Sequence, residues 1–309
     1  RSGALGEGNI GSRRLGTNHY DGYGYWIWVI PLGNGETSIG LVFDKRLIEL
    51  HRSTDRAGDF VAFLDAIPAL RELLEGATPR LDDLRFFAHL PYAARQFAGP
   101  GWSLLGDAAA FLDPYYSPGL DHAAFTVEAS VALIAADTRG EDIAKAIALH
   151  NETFVRSYAR FFNAVYRDKY RYMGEADLLS AAFLLDTAHY YIFVVTPAYR
   201  LMKKFFWMPV LGPKPAFFSY HLMSFYNRRF TTIAERRRSR GEEGRRNDGR
   251  RISAYFNLHL APMRMGLRGA KLWAFAELDN LRLLTKRALR ARPAPIAGSS
   301  PAHPPESAR

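Results

Sequence analysis

Between Gly101 and Glu128 the chain reads GWSLLGDAAAFLDPYYSPGLDHAAFTVE, a strand that runs through a bend into a helix. A short apolar strand from Trp102 to Leu105 leads into Gly106-Asp107. A glycine at a strand end lets backbone approach a bound group closely. The Asp107 carboxylate can accept hydrogen bonds from sugar-like hydroxyls, and Ala108, Ala109 and Ala110 leave room for a bulky planar group. Pro114 and the turn Ser117-Pro118-Gly119 then feed a helix whose positive end faces whatever lies in the crevice.

The rest of the chain supplies partners for this unit. Tyr23 to Pro31 (YGYWIWVIP) is aromatic and β-branched, and Gly33-Asn34-Gly35 separates it from Thr37 to Phe43, which is the pattern of a β-hairpin. Trp26, Trp28 and Ile30 share one face of the first strand, a packed wall of a core or of a pocket. Ala57 to Glu75 has helical spacing, with Pro68 set to kink or split it. Leu84 to Leu90 is a second strand candidate. Helices are expected over Asp121 to Ala136 and from about Glu141 to Tyr170, with mostly helical chain to about Arg290. The fold class is therefore α+β, an antiparallel sheet followed by a mostly helical C-terminal region. The expected division is a sheet region over 1–100, the bend and its helix over 101–140, a helical region over 141–290 and a disordered Pro/Ser/Ala-rich tail over 291–309.

Composition excludes several classes of chemistry. With no cysteine among 309 residues there are no disulfides, thiolate nucleophiles or cysteine metal sites, and the nine scattered histidines give no metal-ligand spacing. The formal charge of +10 is concentrated between Arg228 and Arg251, where ten arginines face four acids. That stretch is glycine-rich and has no aromatic after Phe230, so it reads as a solvated Arg-rich linker. Contact with an anionic membrane surface, beside Phe205-Phe206-Trp207, is the alternative, and no nucleic-acid partner is expected. Gly6-x-Gly8-x-x-Gly11 matches the dinucleotide fingerprint, but no strand precedes it and no helix pattern follows, so it reads as a loop. The start of the chain lacks the basic–apolar–small pattern of a signal peptide, and a cytoplasmic location is the expectation.

Two motifs carry a resemblance to a known family. Phe111-x-x-Pro114-x-x-Ser117-x-Gly119 resembles the F-x-x-P-x-x-S-x-G signature of the flavin-dependent halogenases, and Trp26-x-Trp28-x-Ile30-Pro31 resembles their W-x-W-x-I-P motif. The resemblance covers roughly Thr17 to Asp186. It implies the C-terminal part of an FAD/NAD(P)-binding fold of the p-hydroxybenzoate hydroxylase and halogenase type, with FAD as cofactor. Gly106 and Asp107 would then hold the ribityl chain, Pro114, Ser117, Gly119 and Leu120 would line the isoalloxazine, and Trp26 and Trp28 would form the substrate-side wall. It further implies a dinucleotide-binding segment of about 150–200 residues ahead of Arg1, a small-molecule or carrier-bound substrate, and electrons from a nicotinamide or a flavin reductase.

The chain departs from the halogenase pattern in three places. The halide nest of those enzymes uses the N–H groups of the x and Gly in S-x-G, and here x is Pro118, which has none. Tyr116 stands where tryptophan halogenases carry a catalytic Glu. No Lys precedes Lys45, so their essential upstream Lys has no counterpart in the chain. These departures point toward a halogenase-like monooxygenase acting on an apolar or aromatic substrate, with halogenation as the runner-up. The alternative of another class is a truncated, non-enzymatic interaction module. The catalytic residues are left open.

Overall fold

The structure, a computed structural model, describes residues 16–50, 54–195, 215–247 and 262–290. The Gly6–Gly11 loop, Phe205–Trp207, the end of the Arg-rich stretch and the 291–309 tail lie outside the described residues.

Three strands form the main sheet: β1 (Asn18–Gly22), β2 (Tyr25–Pro31) and β3 (Thr37–Phe43), antiparallel in the order β1-β2-β3. The expected hairpin is present, and Gly35 takes the positive φ (84°) that its turn demands. The strand β1 escaped the sequence reading because Asn18-His19-Tyr20-Asp21-Gly22 has little β propensity. It pairs with β2 in the register His19↔Trp28 and Asp21↔Trp26. Alternation gives the sheet two apolar faces. Ile27, Val29, Tyr25 and Ile39 pack against α1 (Arg56–Asp65) and α2 (Pro68–Leu73), with Leu64 and Leu70 buried between. Pro68 splits the two helices by occupying the first turn of the second, where a missing N–H costs nothing. Trp26 and Val42, on the opposite face, enter the larger core.

Residues 84–90 form no strand. A 3-10 turn at Leu81–Asp83 precedes them, Phe86 and Phe87 are exposed, and among the described residues no neighbouring backbone offers them a ladder. The remaining strands, β4 (Tyr92–Ala93), β5 (Ala98–Gly99), β6 (Trp102–Ser103) and β7 (Ala110–Phe111), are two-residue antiparallel fragments. The strand expected from Trp102 to Leu105 is therefore only half regular. All strand pairs among the described residues are antiparallel, so they contain no βαβ dinucleotide unit.

Helices make up the rest: α3 (Gly119–Thr138), α4 (Ala144–Phe161), α5 (Ala176–Tyr190), α6 (Pro215–Arg238) and α7 (Pro262–Arg290). The helix expected to reach Tyr170 stops at Phe161 and passes through a π-helical turn, Phe162–Tyr166. Among the described residues two segments, Gly119–Thr138 and Ala176–Val195, are long and apolar enough to cross a membrane by length and composition. The second is the central core helix, whereas α3 leaves Leu120, Val131 and Ile134 exposed.

The Arg-rich stretch is not a linker over its described part. Residues 228–238 are the last turns of α6, and 239–247 fold back tightly. The Arg237 guanidinium is 3% exposed and pairs with Glu175 (2.6 Å) and Asp177 (2.8 Å), while Arg246 pairs with Asp279. Internal acids hold these cations, which is why a charge count alone misread them.

The larger core encloses a second ion pair. Lys169 Nζ, completely buried, lies 2.8 Å from Asp186 Oδ2 and donates to Tyr172 (3.0 Å) and Tyr116 (3.2 Å). Tyr116 and Tyr226 donate their hydroxyls to the Asp186 carboxylate at 2.8 and 2.5 Å. Burial by itself pushes the Lys169 ammonium toward neutrality, but the Asp186 charge overcomes it and the net shift is upward. Removing one partner strands the other charge in the core. Lys169→Met is expected to lower stability by about 3–5 kcal/mol, and the double change Lys169→Met/Asp186→Leu by clearly less than the single one, in denaturant unfolding.

Candidate functional site

The bend is fixed from both ends. Leu105 is extended, and Gly106 turns the chain at φ 51° into a 3-10 turn, Gly106–Ala108. The Gly106 N–H donates to Thr126 Oγ1 of α3 at 2.9 Å, and Tyr92 Oη donates to the Asp107 carbonyl at 2.5 Å. A side chain at Gly106 would meet Ala123 at 3.2 Å and is also opposed by the left-handed backbone. After β7, the Asp113 carboxylate accepts from the Tyr115 N–H at 2.9 Å and opens the 3-10 turn Pro114–Tyr116. Ser117 then adopts a left-handed conformation (φ 52°, ψ 47°), unusual for a non-glycine residue. Its N–H closes the turn onto the Pro114 carbonyl at 2.9 Å.

The sequence-derived site residues meet at the start of α3. A Cβ on Gly119 would stand 3.9 Å from Asp107 Oδ1, so the exposed carboxylate lies over the first turn of α3. No side chain caps that helix; Pro118 is its N-cap residue. The first N–H groups of a helix have no intrahelical partner, and they carry its positive end. Leu120 projects outward and is 87% exposed. Asp107, Ser117, Gly119 and Leu120 thus bring an acidic group, a left-handed serine and an uncapped helix start together, with Pro114 heading the preceding turn and Gly106 buried against Ala123 of α3.

Trp26 and Trp28 part company. Trp26 is 2% exposed: His19 and Tyr115 pack against it with ring centroids at 4.9 and 5.2 Å, and its Nε1 donates to Tyr170 Oη at 3.0 Å. It is sealed core and offers a substrate no surface, a correction to the expectation that both tryptophans form a wall. Trp28 is half-buried against Trp26 and bonds Ser38 at 3.2 Å. Gly40, directly opposite it, has no side chain because the Trp28 ring fills that space. His122 is half-buried, edge-on to Phe97, with Nε2 buried and unpartnered. Burial lowers its pKa against the opposing charge of Asp107.

Sequence reasoning missed the groups behind the bend. His19 and Asp21 on β1 point to the same side as Trp26, and Tyr115 stacks near His19 at 5.1 Å. Asp113 accepts a short hydrogen bond from Tyr170, joining bend, Tyr170 and Trp26 in one chain. The signal available was the Asp113-Pro114 pair, a turn starter. Nothing local marked Asp21. Its Oδ1 is buried without a partner, and burial pushes its pKa up to about 7, opposed by a hydrogen bond from Tyr115 and by the Lys169 charge. Burial pushes the His19 imidazole down to about 4.

Comparison with known proteins gives these features a context. No family model matches the chain. The flavin-dependent halogenase chlA of Dictyostelium discoideum is 26% identical over 225 residues, covering 71% of this chain and 34% of that protein. The flavin-dependent halogenase otaD of Aspergillus carbonarius is 34% identical over 152 residues, 47% of this chain and 30% of its own length. Among solved structures, halogenase PltM superposes with a TM-score of 0.54 at 15% identity, covering 85% of this chain and 52% of that one. A point mutant of PltM in complex with FAD gives 0.56 at 16% identity. The fold is thus similar to about half of the PltM fold. By sequence the chain is similar to flavin-dependent halogenases, and it spans about a third of the length of the curated relatives it matches.

The Asp21 carboxyl carries a pH signature. A carboxyl whose pKa is raised on folding keeps its proton in the native state and loses it in the unfolded one, so its contribution to stability falls as pH rises from about 4 to about 7. The His19 imidazole, lowered on folding, contributes the opposite slope between about 6.5 and about 4. A single variant separates them. Asp21→Asn is expected to match the parent near pH 4 and to exceed its stability by up to a few kcal/mol above pH 7, read from unfolding curves across pH.

Proposed function

We propose that this chain is the substrate-side and flavin-ring-side portion of an FAD-dependent, halogenase-like oxidoreductase, and that it acts as a monooxygenase on an apolar or aromatic small molecule, free or carrier-bound. The observation that carries this is the Asp107 carboxylate poised over the uncapped start of α3, beside a left-handed Ser117. These residues would fit the ribityl and ring portion of FAD: a carboxylate for hydroxyl donors, Gly119, which has no side chain, beside it, and helix N–H groups for a ring edge that gains negative charge. They do not provide for its ADP half, which calls for a parallel βαβ unit from the remainder of the enzyme. The apolar surface that α3 leaves exposed suits cover by such a unit.

When bound, the flavin supplies the two-electron redox chemistry and the reaction with oxygen, with electrons from a nicotinamide directly or through a flavin reductase. The protein's own residues orient and select. Asp107 accepts hydrogen bonds from the polyol. The α3 start offers fixed positive potential. Trp28 keeps exposed aromatic surface near the sealed Trp26–Tyr115 contact. Pro118 removes one of the two N–H groups a halide nest would use, and the residue before Ser117 is Tyr116 rather than a carboxylate, with its hydroxyl turned into the core toward Asp186. Both features favour oxygen insertion over halide oxidation. Halogenation remains the second reading, favoured by the relatives named above.

Expressed from its complete reading frame, the protein is expected to purify with a flavin absorption spectrum. Asp107→Asn should weaken FAD binding about 10- to 100-fold, the worth of a charge-assisted hydrogen bond. Turnover with substrate should give a hydroxylated product whose yield is indifferent to chloride or bromide. An absence of flavin, unchanged affinity in Asp107→Asn, or a halide-dependent product would each overturn the corresponding part of the proposal.

A further inference from the structure

The helix α7 presents two unlike faces. One is fastened to α5: a Cβ on Gly269 would come 2.9 Å from Leu185 Cγ and 3.2 Å from the Ala181 carbonyl, and Met265 and Ala276 are buried. The other face shows Met263, Leu267 and Leu278 to solvent at 66%, 68% and 50% exposure, together with Ala270 and Ala274. At 3.6 residues per turn these five fall within about 80° of the helix circumference. Arg264, Lys271 and Arg268, all exposed, follow along one border of that stripe.

Charge on α7 is sorted as sharply as hydrophobicity. Its two acids among the residues with described side chains are already engaged: Glu277 pairs with Arg229 at 2.7 Å, and Asp279 is buried beneath Arg245 and Arg246. What faces outward is an apolar stripe bordered on one side by cations, with no exposed carboxylate beside it among the described residues. This is the pattern of a helix lying in the plane of a lipid–water interface, where the stripe enters the acyl boundary and the cations meet anionic headgroups. A second copy of the chain is a poorer occupant, since two such faces would bring cationic borders together without acids to pair with them.

We infer that α7 docks this protein onto an anionic bilayer surface through Met263, Leu267 and Leu278, with Arg264, Arg268 and Lys271 at the headgroups. This is independent of the flavin assignment. It also moves the membrane contact away from the Arg-rich stretch, whose Arg237 and Arg246 are occupied internally.

The test is co-sedimentation of the full chain with phosphatidylcholine vesicles made with and without phosphatidylglycerol. Binding is expected only to the anionic vesicles, weakening as salt is raised. Leu267→Glu/Leu278→Glu should reduce it at least about tenfold by removing apolar insertion. Arg264→Gln/Lys271→Gln should reduce it about tenfold. Both variants change exposed positions, and thermal unfolding coincident with the parent's establishes that they are folded. Absence of binding to anionic vesicles, or binding that Leu267→Glu/Leu278→Glu leaves unchanged, overturns the inference. So does a concentration-dependent dimer that the same double variant dissolves, which would assign the stripe to a second copy.

Discussion

Two buried carboxylates hold the bend, and the candidate site depends on them. Asp113 binds the Tyr115 N–H and the Tyr170 hydroxyl, which in turn accepts from Trp26 Nε1, tying the turn to the sheet. Asp186 receives Tyr116, Tyr226 and Lys169, tying the next residue of the same turn to α5 and α6. The consecutive tyrosines 115 and 116 are thus pulled inward by separate networks. Ser117 is left to take up the left-handed conformation that turns the chain into α3. A backbone so constrained does not need a ligand to hold its shape.

From that arrangement the division of the molecule follows. Behind the bend lie aromatic rings and largely hydrogen-bonded polar groups, where charge is costly and is paired or neutralised: Lys169 by Asp186, Arg237 by Glu175 and Asp177. Asp21 and His19 remain as titratable groups that burial drives toward their neutral forms. In front of the bend are the groups that a ligand could use: the exposed Asp107 carboxylate and the uncapped start of α3. Rigidity on one side and open valence on the other is what preorganisation requires of a cofactor site.

Much of this was legible in the sequence, and the limits have physical causes. The hairpin from Tyr25 to Phe43 was readable because β-branched and aromatic residues flank an Asn-Gly turn. The bend was readable because Gly106, Pro114 and Gly119 each have a restricted or unusual backbone preference. The strand β1 was not, since its residues are weak strand formers held in place by their partner. Residues 84–90 looked like a strand by composition, but a strand requires a neighbour and none pairs with them among the described residues. The networks behind the bend were invisible for a different reason. Asp113 and Tyr170, or Tyr116 and Asp186, are 57 and 70 residues apart and meet only through the fold. The Arg-rich stretch misled because sequence gives the sign of a charge and not its partner.

The most direct measurement is a crystal structure of the protein with FAD bound. The account requires a ribityl hydroxyl within about 3 Å of the Asp107 carboxylate, the ring edge lying along Ser117 to Leu120, and the turn from Asp113 to Ser117 unmoved from its position here. A flavin bound elsewhere, with Asp107 facing only solvent, would contradict it.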